Sequence, residues 1–187
     1  LLNNDMKVIT RDWMEELLMY AQRPDVAAVG GKLYYADNTI QHAGIVIGLG
    51  AHRAAGHTHY KDDKMHLGYM GRLCYAQDVT AVTGACLLVS RAQYDEVGGL
   101  DEEFRVAFND VDFCLKLRHA GYLNVFTPFA ELYHYESKTR GMEEGEKQKR
   151  FQQEVDMFRR KWKADLEAGD PYFNPNFSLD YSDYTIK

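Results

Sequence analysis

Hydrophobic and polar positions along the chain alternate between a helical and an extended period. Thr10 or Asp12 can cap a helix running to about Gln22, with Trp13, Leu17, Leu18 and Ala21 at helical spacing. Arg23-Pro24-Asp25 ends it. Val26 to Tyr35 is a nearly continuous apolar run, the pattern of a buried strand, with a bulge expected at Gly30-Gly31. Asp37-Asn38 turns the chain, and Ile40 to Ile47 returns as a second strand. Gly48 to Gly71, rich in Gly, His and charge, reads as a loop. Asp78 to Val89 gives the strongest strand signal. Ser90 caps a short helix ending at Gly98-Gly99, and Leu100 to Phe104 is a turn.

The next helix has labelled ends. Asn109 is placed to cap it and Gly121 to close it, with Val111, Leu115 and Arg118 on one stripe and Phe113, Leu117 and Ala120 on another. Leu123 to Thr127 reads as a strand ended by Pro128, and Ala130 to Glu136 alternates as another. Glu143 to Ala168 reads as one long helix with Phe151, Val155, Phe158, Trp162 and Leu166 on its apolar stripe. Asp170 to Leu179 is extended, and the residues up to Lys187 are expected to be loosely held.

Composition narrows the class. The 187 residues are 45% hydrophobic and 27% charged, which is ordinary for a globular protein with a sizeable core. A net charge of −6 argues against a general nucleic-acid binder. No apolar stretch approaches membrane-spanning length. Of the three cysteines, Cys86 and Cys114 lie in apolar runs and read as buried thiols of a reducing compartment. Leu1-Leu2-Asn3-Asn4-Asp5 reads as a strand end entering a loop, so the chain is expected to be a piece of a longer protein.

Asp110 and Asp112 sit in the first turn of their helix, where the dipole favours negative charge. One reading stops there. The sharper reading has Asp110 project into a cleft and take a proton from a substrate hydroxyl. A hydrolase with Asp110 and Asp112 as paired acids is disfavoured, because residues two apart on a helix point to different sides. His42, alone in a strand, reads as structural. His52, His57, His59 and His66 fit no zinc signature and have no companion cysteine or rigid scaffold, so no metal is expected there.

Three segments, Thr83-Gly84-Ala85-Cys86, Gly98-Gly99-Leu100-Asp101-Glu102-Glu103-Phe104 and Asn109-Asp110-Val111-Asp112, together resemble the C-terminal half of a family 2 glycosyltransferase of GT-A fold. The tail is similar to that of bacterial surface-polysaccharide and rhamnosyltransferase-like members. The resemblance implies an α/β fold, a mixed sheet flanked by helices, with the nucleotide-binding N-terminal part missing. Residues 1–141 would form the catalytic and acceptor-side half, and residues 142–187 a C-terminal helix and extended tail. The family helix usually opens with Glu-Asp, the Asp being the catalytic base, and Asn109-Asp110 keeps only the second carboxylate.

By the same resemblance Asn3-Asn4-Asp5 takes the place of the DXD-type motif. Asp5 becomes a ligand of Mn²⁺ or Mg²⁺, with Asn3 reaching the ribose or a water, and His134 completes the metal site. Thr83, Gly84 and Ala85 would lie against the donor sugar. Arg140, with Lys138, would clamp the diphosphate. Asp101 and Glu102 read as a solvated acidic turn or, with Asn109, as acceptor contacts. The implied activity is metal-dependent, inverting transfer of a hexosyl or deoxyhexosyl group from a nucleotide sugar to a glycan or lipid-linked acceptor in surface-polysaccharide synthesis. This piece alone is expected to be inactive or nearly so. The implied place is cytoplasmic, at or near the inner membrane face; peripheral membrane association and a homodimer stay open. A rival reading is a non-catalytic carbohydrate-binding or scaffold domain on the same fold, to which Asn3 and Asn109 give weight.

Overall fold

A computed structural model describes residues 1–135 and 145–187. In chain order the elements are β1 (Met6–Val8), α1 (Trp13–Ala21), β2 (Val26–Tyr34), β3 (Ile40–His42), β4 (Ile45–Ile47), β5 (Ala55–His57), β6 (Gln77–Val79), β7 (Leu87–Leu88), α2 (Arg91–Glu96), α3 (Asn109–His119), β8 (Leu123–His134), α4 (Glu146–Lys161) and α5 (Lys163–Ala168). Among the described residues, no helix is long and apolar enough to cross a membrane.

The sheet is mixed. β2 and β8 run parallel at its centre. β1 and β6 pair antiparallel with β8, and β3 and β7 with β2. Every residue of β2 is buried, which is why its sequence is a continuous apolar run. Val26, Val29 and Leu33 of β2 join Val125 and Leu132 of β8 under α1, whose Leu17 closes that side. Tyr34 and Phe126 belong to the opposite cluster, with Phe113, Leu115 and Leu117 of α3 and Val155, Phe158 and Trp162 of the C-terminal helices. The expected mixed sheet flanked by helices is therefore what forms.

Several expected boundaries shift, each for a local reason. β8 continues through Pro128. Its register against β2 steps from Gly30↔Phe126 to Lys32↔Glu131, so a bulge around the proline absorbs the extra β8 residues. Gly31 sits opposite that bulge, where a Cβ would lie 2.4 Å from the Ala130 carbonyl oxygen. The strand expected from Ile40 to Ile47 breaks at Gly44, whose φ of 98° suits glycine, and β4 pairs instead with β5 in a separate two-stranded sheet. The loop expected from Gly48 to Gly71 therefore contains β5. The strand expected from Asp78 to Val89 survives only as β6 and β7, and Thr80 to Cys86 leaves regular pairing. The long C-terminal helix breaks at Trp162 (φ −106°, ψ 26°).

The tail is packed, contrary to expectation. Phe173 and Tyr184 are buried with Val46 and Leu49, and Asp170 Oδ2 accepts the Ile47 N–H at 2.9 Å. These contacts join residues far apart in sequence, so local pattern did not reveal them.

Candidate functional site

A cleft of about 530 Å³ opens where α3, the 80–86 segment and the C-terminal end of β8 meet. Asn3, Thr83, Gly84, Ala85, Asn109, Asp110 and His134 all line it. Seven residues singled out from the sequence thus face one space.

Asp110 is aimed by the start of α3. Phe108 occupies the cap position in the left-handed region (φ 64°), and the Asp112 N–H reaches its carbonyl at 2.8 Å. Asn109 is therefore the first helical residue and not the cap expected; its Oδ1 accepts the Asp110 N–H at 2.7 Å. The far end matches expectation. The Gly121 N–H bonds the Arg118 carbonyl and the Tyr122 N–H the Leu117 carbonyl, a Schellman closure with Gly121 at φ 97°.

Both carboxylate oxygens of Asp110 are fixed by backbone. Oδ2 accepts the Gly84 N–H at 2.8 Å, and Oδ1 the Val111 N–H at 2.9 Å. A Cβ at residue 84 would lie 3.3 Å from the Asp110 Cβ, so glycine allows the approach. The 80–86 segment is pinned in turn. Asn124, buried in β8, donates to the carbonyls of Thr80 (2.9 Å) and Cys114 (3.0 Å), and the Asn3 N–H reaches the Ala85 carbonyl at 2.9 Å.

Across the cleft, Met6 pairs with His134, bringing the Asn3–Asp5 turn beside the end of β8. His134 Nδ1 lies 2.7 Å from Gln41 Oε1, an oxygen that can only accept, so Nδ1 carries a proton, and in the neutral ring Nε2 presents its lone pair. Nε2 faces Asn3 Nδ2 at 3.1 Å and Asp5 Oδ1 at 3.2 Å. Asp5 Oδ1 is buried with no hydrogen-bond partner among the described residues. A carboxylate oxygen without a partner beside a histidine lone pair, with that histidine's other nitrogen held by an amide oxygen, suits a divalent cation as shared partner. Asn3, bonded to the same Nε2, competes for that lone pair.

Asp101 and Glu102 do not line the cleft. Asp101 pairs with Lys161 at 2.7 Å, and that ammonium holds its carboxyl below the usual carboxylate range. Arg140 and Lys138 lie outside the described residues. Arg105, Gln41 and His57 line the cleft and were not singled out as site residues. Arg105 follows an acidic turn and reads locally as solvated. Gln41 and His57 enter only through long-range pairing of β3 and β5. Asp112, two residues from Asp110, points the other way: it is fully buried, and its Oδ1 receives Trp162 Nε1 at 2.9 Å and Lys161 Nζ at 2.7 Å.

α4 supports the cleft wall. The buried Glu154 accepts the N–H groups of Val106 (3.3 Å) and Ala107 (2.7 Å), and Phe151 and Phe158 stack on Phe108 at 5.9 and 5.0 Å between ring centroids. β3 supports the opposite side through His42, whose imidazole is held neutral, well below its ordinary pKa, by burial and by His57.

Comparison with known proteins identifies the family. The profile of glycosyltransferase like family 2 matches residues 1–154. The y4gI protein of Sinorhizobium fredii is 52% identical over 188 residues, covering all of this chain and 20% of its own length. The O-antigen biosynthesis protein RfbC of Myxococcus xanthus is 34% identical over 192 residues, covering all of this chain and 14% of its own length. N-acetylglucosaminyl-diphospho-decaprenol L-rhamnosyltransferase of Mycobacterium tuberculosis is 40% identical over 60 residues, 32% of this chain and 20% of that protein. The chain thus spans no more than a fifth of the length of these curated relatives. With an aspartate fixed at the mouth of α3, a mixed GT-A-type sheet and a profile match over most of its length, the chain belongs to glycosyltransferase family 2.

Proposed function

We propose that this chain carries the catalytic base and half of the metal site of an inverting glycosyltransferase that moves a hexosyl or deoxyhexosyl group from a nucleotide sugar to a glycan or lipid-linked acceptor. The observation that carries the reading is the shared cleft: Asp110 on one wall and His134, with Asp5 behind it, on the other. The name of the Mycobacterium tuberculosis relative supports a deoxyhexose donor and a polyprenyl-diphosphate acceptor.

In this reading the acceptor hydroxyl approaches Asp110, whose oxygens each keep a lone pair beyond the one used by Gly84 or Val111. Asp110 takes the proton as the hydroxyl oxygen attacks the anomeric carbon from the face opposite the diphosphate. Backbone at Thr83–Ala85 holds the sugar so that attack is in line. Asn109, lining the same wall, contacts the acceptor. Arg140 would clamp the diphosphate, and Arg105, which lines the cleft, adds positive charge toward it. Asp5 and His134 would hold Mn²⁺ or Mg²⁺, which supplies charge neutralisation on the departing diphosphate. The natural protein would act in the cytoplasm, at the inner face of the membrane where a lipid-linked acceptor is presented.

One observation favours the rival, a non-catalytic carbohydrate-binding domain: Asn3 already occupies the His134 lone pair. Hydrolysis and transfer of nucleotide sugars by the natural protein, with and without Mn²⁺, separate the two. Cation-dependent turnover supports the enzyme. Saturable glycan binding with no turnover on any donor supports the rival.

A further inference from the structure

A second group of metal-binding side chains lies outside the cleft. His59 and Lys61 both adopt left-handed backbone (φ 53° and 66°), which coils residues 59–66 tightly. His59 Nδ1 lies 2.9 Å from Asp62 Oδ2, and His66 Nδ1 lies 3.6 Å from the same oxygen. One ligand atom from each of the three falls within 4.8 Å of the others.

We propose that His59, Asp62 and His66 form a site for a late first-row divalent cation of the Zn²⁺ class, separate from the Asp5–His134 pair. Two imidazoles and one carboxylate suit that class better than Mg²⁺ or Ca²⁺, which favour all-oxygen sets. A tetrahedral ion with Zn–N of about 2.0–2.1 Å separates its ligand atoms by roughly 3.3–3.4 Å. The 2.9 and 3.6 Å separations bracket that spacing, and the third, between the two imidazoles, is within 4.8 Å.

The scaffold that the loop lacks in sequence comes from the tail. The His59 N–H bonds the Ser182 carbonyl at 2.7 Å, and the His59 ring packs on Tyr184 at 5.1 Å. His59 is 1% exposed, so its ring is fixed in place. Its Nδ1 faces the Asp62 carboxylate and carries the ring proton, so binding an ion there moves that proton to Nε2, which is buried without a hydrogen-bond partner among the described residues. The His66 ring is half exposed, and its Nδ1 would give up the Gly68 N–H it accepts at 3.1 Å to turn to a cation. Arg72, the nearby cation, is held on Tyr184 by a 3.1 Å hydrogen bond and by its ring. A bound ion would fasten residues 59–66 to one another and, through His59, to the tail.

This inference is independent of the glycosyltransferase reading. The test is calorimetric titration of the metal-free full chain with Zn²⁺, carried out in an Asp5→Asn background so that the cleft pair does not contribute. One ion per chain is expected. His66→Ala, which removes a half-exposed ring, should lower the affinity at least tenfold with an unchanged circular-dichroism spectrum, and Asp62→Asn should do the same. Cys74→Ser should have no effect. Absence of saturable binding overturns the proposal, as does binding unchanged by His66→Ala or abolished by Cys74→Ser.

Discussion

Replacing Asp110 by Asn separates the chemistry from the fold, and both effects follow from the contacts of one carboxylate. The carboxylate accepts two backbone N–H groups, Gly84 on one oxygen and Val111 on the other. An amide keeps one oxygen and puts an NH₂ at the second position, so one N–H loses its acceptor. An unsatisfied, partly buried donor costs about 1–3 kcal/mol. Loss of a general base costs more in rate, about 100- to 10,000-fold, or roughly 2.7–5.5 kcal/mol in the barrier. The assay measures transfer by the natural protein with donor and acceptor saturating, donor affinity by titration, and unfolding in urea. Asp110→Asn should lose transfer by two orders of magnitude or more, keep its donor affinity, and unfold at modestly lower urea. Asp112→Ala is the matched control. It strands the Trp162 N–H, while Lys161 keeps Asp101, so stability should fall by about 1–3 kcal/mol with kcat of the folded fraction retained. Transfer by Asp110→Asn within a few-fold of wild type would refute the assignment of the base.

Gly84→Ala should lower kcat with a small loss of stability, because the new methyl meets the Asp110 side chain at 3.3 Å and displaces it; unchanged kinetics would show that the close approach is unimportant. A thiol reagent should label one cysteine in the native chain and three after denaturation. Cys74 is exposed, whereas burial pushes the Cys86 thiol up to about 11 and raises Cys114 further. Stability should fall between about pH 7 and 5.5. Buried His42 has a folded-state pKa below the unfolded value of about 6.5, so the unfolded chain takes up a proton that the folded chain refuses. Its contribution is full above that pH and is lost below it, at up to about 1.4 kcal/mol per pH unit. His59 acts in the same direction, and Asp170, raised by burial, acts oppositely at more acidic pH. A flat melting-temperature profile over that window, or one unchanged by His42→Gln, would contradict the assignment.

Local signals were legible where local forces decide. Ser90 caps α2, accepting the Gln93 N–H at 3.2 Å, and Gly121 closes α3. The apolar run at Val26 is the central strand. Spacing also showed that Asp110 and Asp112 diverge, though not which one is buried. What escaped was set by distant partners. Pro128 stays in a strand because β8 bulges against Gly31. Phe173 and Tyr184 are held by Val46 and Leu49, more than a hundred residues away, so the tail looked loose. Asn109 lost the cap because Phe108 takes a left-handed turn that phenylalanine seldom favours. His59 and His66 match no metal spacing because the coil that gathers them is irregular.

The central claim joins Asp5 and His134 to Asp110 in a single reaction centre, and cation dependence of transfer by the natural protein tests it most directly. Transfer should stop on chelation, return with Mn²⁺ or Mg²⁺, and fail to return in a folded Asp5→Asn variant. Undiminished transfer in the presence of chelator, or full cation-restored activity in that variant, would contradict the account.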